Sequence, residues 1–326
     1  MLQDSSLPRT AEPEVPVGTV GPGPEPGNPT FFARYAAWGI LFGFGSAVGY
    51  ALTNAFLRQA AAEPPIWVSG IKAACTAAIF LPWFLWLAGR GVRVLPPPRM
   101  CWGLLAVSVF VQYFGNVYYQ YALQTIGLAL AVPVNLGVMI FSGAVLGRAF
   151  MREPLTPKIT LGLAIIVTSI AILSSQKAPP PIIPSAAGTW FAGITAASLS
   201  GVAYAVLGLV IRRSMRHQIP LATPIVFVSV VGTVGLLGLS YLQEGPTAIA
   251  AIGRVSWIAM ITAGILNGIA FLSLTQALKM LPVVYVNGIN AANMLFSALI
   301  ALIYFLEPWS PQLGWGIAVM LVGLGV

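Results

Sequence analysis

The sequence predicts an all-α membrane protein: ten transmembrane helices arranged as two inverted five-helix repeats. Three observations carry that prediction. Of 326 residues, 58% are hydrophobic and only 7% charged, where a soluble domain carries about 25% charged residues. The apolar residues fall into runs near the length that crosses a bilayer core, about 20 residues for about 30 Å. The chain also resembles itself at an offset of 154 to 155 residues. This composition excludes a soluble enzyme, a nucleic-acid binder and a disordered scaffold. The net charge of +8 does not restore the nucleic-acid reading, because the basic residues sit between apolar runs and not on one amphipathic face.

The ten runs lie near 35–57, 65–88, 101–124, 127–148, 157–176, 187–211, 219–242, 255–278, 282–306 and 311–326. Very short joints, as at Gln124–Thr125 and Met280–Leu281–Pro282, force neighbouring helices to run antiparallel. The last run holds about 16 residues, short of a full span, so the sequence is expected to stop within helix ten. Residues 1–33 are rich in Pro and Gly and lack the apolar content to bury a core. They carry no charged segment followed by an apolar one, so they are read as a disordered cytoplasmic tail and not a secretory signal. The two repeats then occupy 34–176 and 187–326.

Lys and Arg set the orientation. Arg9, Arg34, Arg90, Arg93, Arg99, Arg148, Arg152, Lys158, Arg212, Arg213, Arg216 and Lys279 fall on the side of the N-terminus. Only Arg58, Lys177 and Arg254 fall on the other side, and Lys72 lies inside the second span. That asymmetry places both termini in the cytoplasm.

The internal repeat is legible residue by residue. Gly39, Ser46, Val48, Tyr50, Ala51 and Arg58 of helix one match Gly193, Ser200, Val202, Tyr204, Ala205 and Arg212 of helix six. Trp102, Ala122, Leu123, Asn135, Met139, Phe141 and Ser142 match Trp257, Ala277, Leu278, Asn290, Met294, Phe296 and Ser297. Glu153-Pro154-Leu155-Thr156-Pro157 answers Glu307-Pro308-Trp309-Ser310-Pro311. An odd number of helices per repeat brings the second copy in from the opposite face. Two near-equivalent halves around one central site are how many secondary transporters are built, so the repeat points to transport by alternating access.

Two five-helix repeats, each closing its fourth helix with a Glu and opening its fifth after a Pro, resemble the drug/metabolite transporter superfamily, and more narrowly EamA-type permeases. The resemblance covers about residues 35–326. It implies a central cavity surrounded by helices one, three, four, six, eight and nine. It also implies export of small metabolites, amino acids foremost, across a bacterial inner membrane. Two departures stand out. Pro133 fits the family's early Pro in helix four, but Gly288 stands at its counterpart in helix nine. The residue before the Glu, frequently Gly in the family, is Arg152 in one copy and Leu306 in the other.

Polar stripes mark the substrate-binding candidates. Helix one carries Ser46, Tyr50 and Asn54 on one face, and helix six repeats Ser200 and Tyr204. Helix three offers Gln112, Asn116 and Tyr119; Asn267 of helix eight is the counterpart of Gln112. Helix nine presents Asn287, Asn290 and Met294, answered by Asn135 and Met139 on helix four. Such residues also serve as interhelical glue; taken as a set they suit a cavity for a neutral or zwitterionic solute with an apolar part. Lys72, the only charge within a span, either snorkels to the outer interface or attracts a substrate anion.

Glu153-Pro154 and Glu307-Pro308 are read as structural helix-end motifs within reach of water, followed by Thr156 and Ser310 as N-caps and Pro157 and Pro311 as first helical residues. The remaining acids, Asp4, Glu12, Glu14, Glu25, Glu63 and Glu244, lie in the tail or in connections, which favours transport without proton coupling. The lone histidine, His217, and the cysteines Cys75 and Cys101 assemble neither a catalytic constellation nor a metal site, so no enzyme activity, metal or cofactor is expected. The expected partners are a small-molecule substrate and the lipid bilayer. The competing readings are efflux of aromatic cations through cation–π attraction and a non-transporting membrane scaffold.

Overall fold

A computed structural model describes residues 29–152, 156–175, 190–216, 219–281, 286 and 289–325. Residues 1–28 of the expected tail, the Glu153–Leu155 segment and Asn287 lie outside these residues, while 29–33, expected as tail, are helical and open α1. The described part is all helical: α1 (Pro29–Gln59), α2 (Pro65–Gly89), α3 (Pro98–Ile126), α4 (Leu128–Met151), α5 (Pro157–Ser174), α6 (Trp190–Arg216), α7 (Ala222–Ala250), α8 (Arg254–Met280), α9 (Ala292–Ile303) and α10 (Pro311–Gly325). Eight of these are long and apolar enough to cross a membrane, while α9 and α10 are shorter.

The helices begin and end for local reasons. Pro65, Pro98, Pro157 and Pro311 start α2, α3, α5 and α10, positions where a missing N–H costs nothing. Thr156 Oγ1 accepts from Ile159 N at 3.3 Å, and Ser310 Oγ accepts from Leu313 N at 3.1 Å. The joint expected at Gln124–Thr125 lies slightly later, because α3 continues to Ile126 and turns at Gly127. α7 runs past the expected end at 242 and breaks at Gly245–Pro246. Inside α3, Val111–Val117 form a π-helical stretch whose end is marked by Tyr118 N bonding Tyr113 O.

Packing pairs the helices in a reciprocal pattern. α1 lies against α8 and α9, α6 lies against α3 and α4, α2 packs on α7, and α5 packs on α10. Exchanging each helix with the one five places along maps this set of contacts onto itself. The main apolar core gathers Leu123, Leu128, Val134, Leu173, Met294 and Met320, drawn from five helices.

One end of the bundle is fastened by Glu307. Its side chain is only 10% exposed, which corrects the expectation that water reaches it. Oε1 accepts from Leu128 N at 2.9 Å and Oε2 from Ala129 N at 2.8 Å, so the carboxylate caps the N-terminus of α4 from a distant part of the chain. Arg58 Nε, at the end of α1, completes the site at 2.9 Å from Oε1, with its guanidinium over the Phe305 ring. Gly127, at φ 77°, makes room: a Cβ there meets the Glu307 carboxylate at 2.8 Å.

The two departures from the family's glycine also acquire a physical meaning. Arg152 and Leu306 have φ of 55° and 51°, the positive-φ non-glycine residues of the described chain. A side chain in this left-handed region costs about 1–2 kcal/mol. Leu306 is 80% exposed, so its side chain returns little packing. Leu306→Gly is therefore expected to leave stability unchanged or raise it by up to about 1 kcal/mol, against the usual loss for Gly inside a helix. Glu307→Ala is expected to destabilise by about 3 kcal/mol, because it strands a partly buried guanidinium and two backbone N–H groups. Thermal unfolding in detergent checks both.

Candidate functional site

The predicted polar stripes meet inside the bundle. Lys72 sits seven residues into α2, at a depth of about 10 Å for a rise of about 1.5 Å per residue. It is 8% exposed, and its ammonium donates inward to Asn116 Oδ1 instead of extending to the membrane edge. Tyr204 on α6 donates its hydroxyl to the same oxygen at 2.8 Å. Asn116 Nδ2 donates to Gln112 Oε1 at 2.6 Å, and Gln112 Nε2 donates to Val228 O on α7 at 2.6 Å. Both residues lie in the π-helical stretch of α3, the kind of local irregularity that recurs at functional positions.

A second branch continues from that stretch. Ser200 Oγ donates to Gly115 O at 2.8 Å, while Asn135 Nδ2 on α4 donates to Ser200 Oγ at 2.9 Å and to Ala197 O at 3.2 Å. The rings of Tyr119 and Tyr204 stand edge to face, 6.4 Å apart. The polar side chains of α2, α3, α4 and α6 thus form one continuous network.

Other predicted residues lie around it. Asn267 Nδ2 reaches Thr76 Oγ1 at 3.4 Å, linking α8 to α2. Asn54 Nδ2 reaches Asn293 Oδ1 at 3.5 Å, and Ser297 Oγ donates to that oxygen at 3.1 Å. Met294 is buried and Met139 half-buried. Ser46 Oγ and Asn290 Oδ1 are buried without a hydrogen-bond partner among the described residues. Buried polar atoms are almost always paired, so these two are the open contacts of the predicted set. Asn287 lies outside the described residues.

Many predicted ligands therefore spend their polar atoms on neighbouring helices. Gln112, Asn135 and Ser200 are interhelical ties in this conformation, the glue function that Ser, Asn and Gln serve in membranes. Sequence reasoning missed Thr76, Asn293 and Ser297, which partner predicted residues. The signal for Asn293 was its placement four residues before Ser297 on one helical face. Separately, a cavity of about 570 Å³ opens between the start of α2, α3 and α6. Pro65, Ile66, Val117, Tyr118, Tyr121 and Leu199 line it, and none of the predicted binding residues does. Among the described residues no three His, Cys, Asp or Glu side chains come together as a metal site.

Comparison with known proteins follows this geometry. A family model described as the EamA-like transporter family matches residues 37–175 and again residues 191–326. The chain is 27% identical over 148 residues to a protein named Uncharacterized transporter YvbV of Bacillus subtilis (strain 168). That match takes in 45% of this chain and 48% of the relative, so the chain spans about half the length of the curated relative it matches. A solved structure titled "Crystal structure of protein" superposes with a TM-score of 0.57 at 21% identity, covering 89% of this chain and 96% of that one. At that identity the likeness speaks for the fold.

The network rests on a close approach. A Cβ on Gly232 meets Gln112 Nε2 at 2.2 Å and Ala73 Cβ at 2.8 Å, so α7 comes near α2 and α3 only with glycine there. Gly232→Ala pushes the Gln112 amide away from Val228 O. It is expected to lower stability by about 0.6 to 2 kcal/mol, the range for an interhelical hydrogen bond in a membrane. Detergent unfolding of Gly232→Ala against the parent protein measures it.

Proposed function

The chain belongs to the EamA-like transporter family, and from that premise we propose that it is a permease exporting amino acids or closely similar small metabolites across a bacterial inner membrane. The proposal takes ten spans in two inverted repeats, 34–176 and 187–326, with both termini cytoplasmic. The asymmetry of Lys and Arg supports the orientation, and the reciprocal packing of each helix with its fifth successor supports the symmetry. The single observation that carries the reading is the polar network at mid-bundle, where Gln112, Asn116 and Asn135 of the first repeat bond Val228 O, Tyr204 and Ser200 of the second.

In the proposed mechanism the halves rock about this centre, so that Ser46, Tyr50, Asn54, Gln112, Asn116, Tyr119, Asn135, Met139, Ser200, Tyr204, Asn267, Asn287, Asn290 and Met294 face each side in turn. The ties among Gln112, Asn116, Asn135 and Ser200 are then the contacts that substrate replaces. Glu307, bound by Arg58 and by the start of α4, supports closure at the end that the basic-residue asymmetry places outside. Its role as a clamp, together with the absence of a carboxylate contacting the network among the described residues, favours transport without proton coupling. Efflux of aromatic cations is the weaker reading, because the buried Lys72 ammonium repels a cation at the same place.

Counterflow in proteoliposomes loaded with a pooled amino-acid panel, with and without a pH gradient, tests the proposal. Exchange is expected for part of the panel, unaffected by the gradient, and at least tenfold weaker in folded Asn290→Leu. No exchange in well-folded protein sinks the amino-acid assignment, and exchange that tracks the gradient sinks the uncoupled mechanism.

A further inference from the structure

Lys72 is a cation in an unusual position. Its side chain is 8% exposed, and among the described residues the ion pair is Arg58 with Glu307, not one that involves Lys72. Taking an ammonium out of water costs several kcal/mol unless its charge is met. Such a residue inside a membrane bundle is a functional candidate by default. What meets it here is one neutral amide oxygen, Asn116 Oδ1, although an ammonium carries three N–H donors. That same oxygen receives the Tyr204 hydroxyl. Two donors, one from a helix of each repeat, converge on a single acceptor.

Resting on the permease reading, we propose that Lys72 and Tyr204 form the site that recognises the carboxylate of the transported solute, with Asn116 Oδ1 holding both donors until a carboxylate oxygen takes its place. The chemistry selects among solutes. A carboxylate oxygen accepts both hydrogen bonds as the amide oxygen does, and adds the negative charge that the amide lacks. With one cation at the site, a singly charged carboxylate is matched. A phosphate dianion or pyrophosphate is left partly uncompensated, and an amine or aromatic cation is repelled. Asn116, once released, keeps its Nδ2 bond to Gln112 and stays within the π-helical stretch. α8 comes close to the same part of α2 at a glycine. A Cβ on Gly264 meets Cys75 Cβ at 2.5 Å and Lys72 Cα at 3.2 Å, so the helix carrying the lysine is buried on that side by backbone.

The test uses the full chain in proteoliposomes and compares leucine with leucinamide, and phenylalanine with phenylalaninamide, as competitors in counterflow of the pooled amino acids. The parent protein is expected to be inhibited by the acids at least tenfold more strongly than by the amides. Lys72→Met, verified as folded by its unfolding temperature, is expected to lose that preference and at least tenfold of its exchange, while Lys72→Arg keeps part of both. Where Lys72→Met does not fold, Tyr204→Phe takes its place. It retains the charge and removes one donor, and is expected to raise the apparent KM for the acids about three- to tenfold with unfolding unchanged. A folded Lys72→Met that preserves the acid preference, or a Tyr204→Phe whose apparent KM for the acids is unchanged, overturns the proposal. Exchange of amides or cationic dyes as effectively as acids overturns it while leaving the permease reading intact. Failure of every solute class to exchange removes the permease reading, and this proposal with it.

Discussion

A carboxylate from one end of the chain and the start of a helix in the other half hold this bundle together. In hydrocarbon each unsatisfied backbone group costs several kcal/mol, since no water is present to replace a missing partner. The first turn of α4 meets that demand with Glu307, nearly 180 residues away in sequence. The carboxylate in turn needs a cation, and Arg58 at the end of α1 supplies it. Three helices are fixed at one end by these bonds. Gly127 and the left-handed turn at Leu306 are the local geometry that lets the two chain segments approach.

The same demand governs the middle of the bundle. A polar side chain placed there must find a partner, and the network running from Lys72 through Asn116, Gln112, Ser200 and Asn135 provides one for each. Interhelical hydrogen bonds in membranes average only about 0.6 kcal/mol. They are strong enough to order a closed conformation and weak enough to be exchanged for bonds to a solute. That makes glue and substrate ligand compatible descriptions of one residue at different points in a cycle. The π-helical stretch of α3 belongs to this logic, since it turns Gln112 toward α7, Gly115 toward α6 and Asn116 toward α6 and α2.

Much of this was legible in the sequence because membrane helices leave strong signals. Long apolar runs bounded by Pro gave most of the described helices to within a few residues, with an end of α1, α6, α7 and α9 departing by five to ten, and a register match such as Tyr50 with Tyr204 gave the repeat. The polar stripes could be read because spacing of three and four residues is a property of one helix, and those of α3, α4 and α6 bond one another. Partner choice was harder, since it depends on the relation between helices. Nothing local announces that Glu307 reaches the start of α4, or that Lys72 turns inward to Asn116 and not outward to water. The family's preference for glycine before the glutamate could be read as a departure at Leu306, but its cause, a positive φ, is visible only once the backbone is traced. The irregular turn in α3 has no compositional marker; VQYFGNV reads as ordinary helix.

The reciprocal packing has an energetic consequence for the proposed cycle. If helix contacts are preserved on exchanging each helix with its fifth successor, the outward-closed and inward-closed states are built from equivalent interactions, and neither is favoured by composition alone. The clamp then becomes the deciding element. Arg58 and Glu307 have sequence counterparts in Arg212 and Glu153, whose side chains lie outside the described residues. On the proposed inverted arrangement those counterparts belong to the opposite end of the bundle. Opening one end breaks a bond set worth a few kcal/mol, which blocks thermal exchange unless a bond set of the same kind forms at the other end. On that proposal, matched bond sets at the two ends would keep the two states close in free energy while disfavouring a pore open at both ends. A modest difference in the substrate's affinity for the two states is then enough to shift the protein between them.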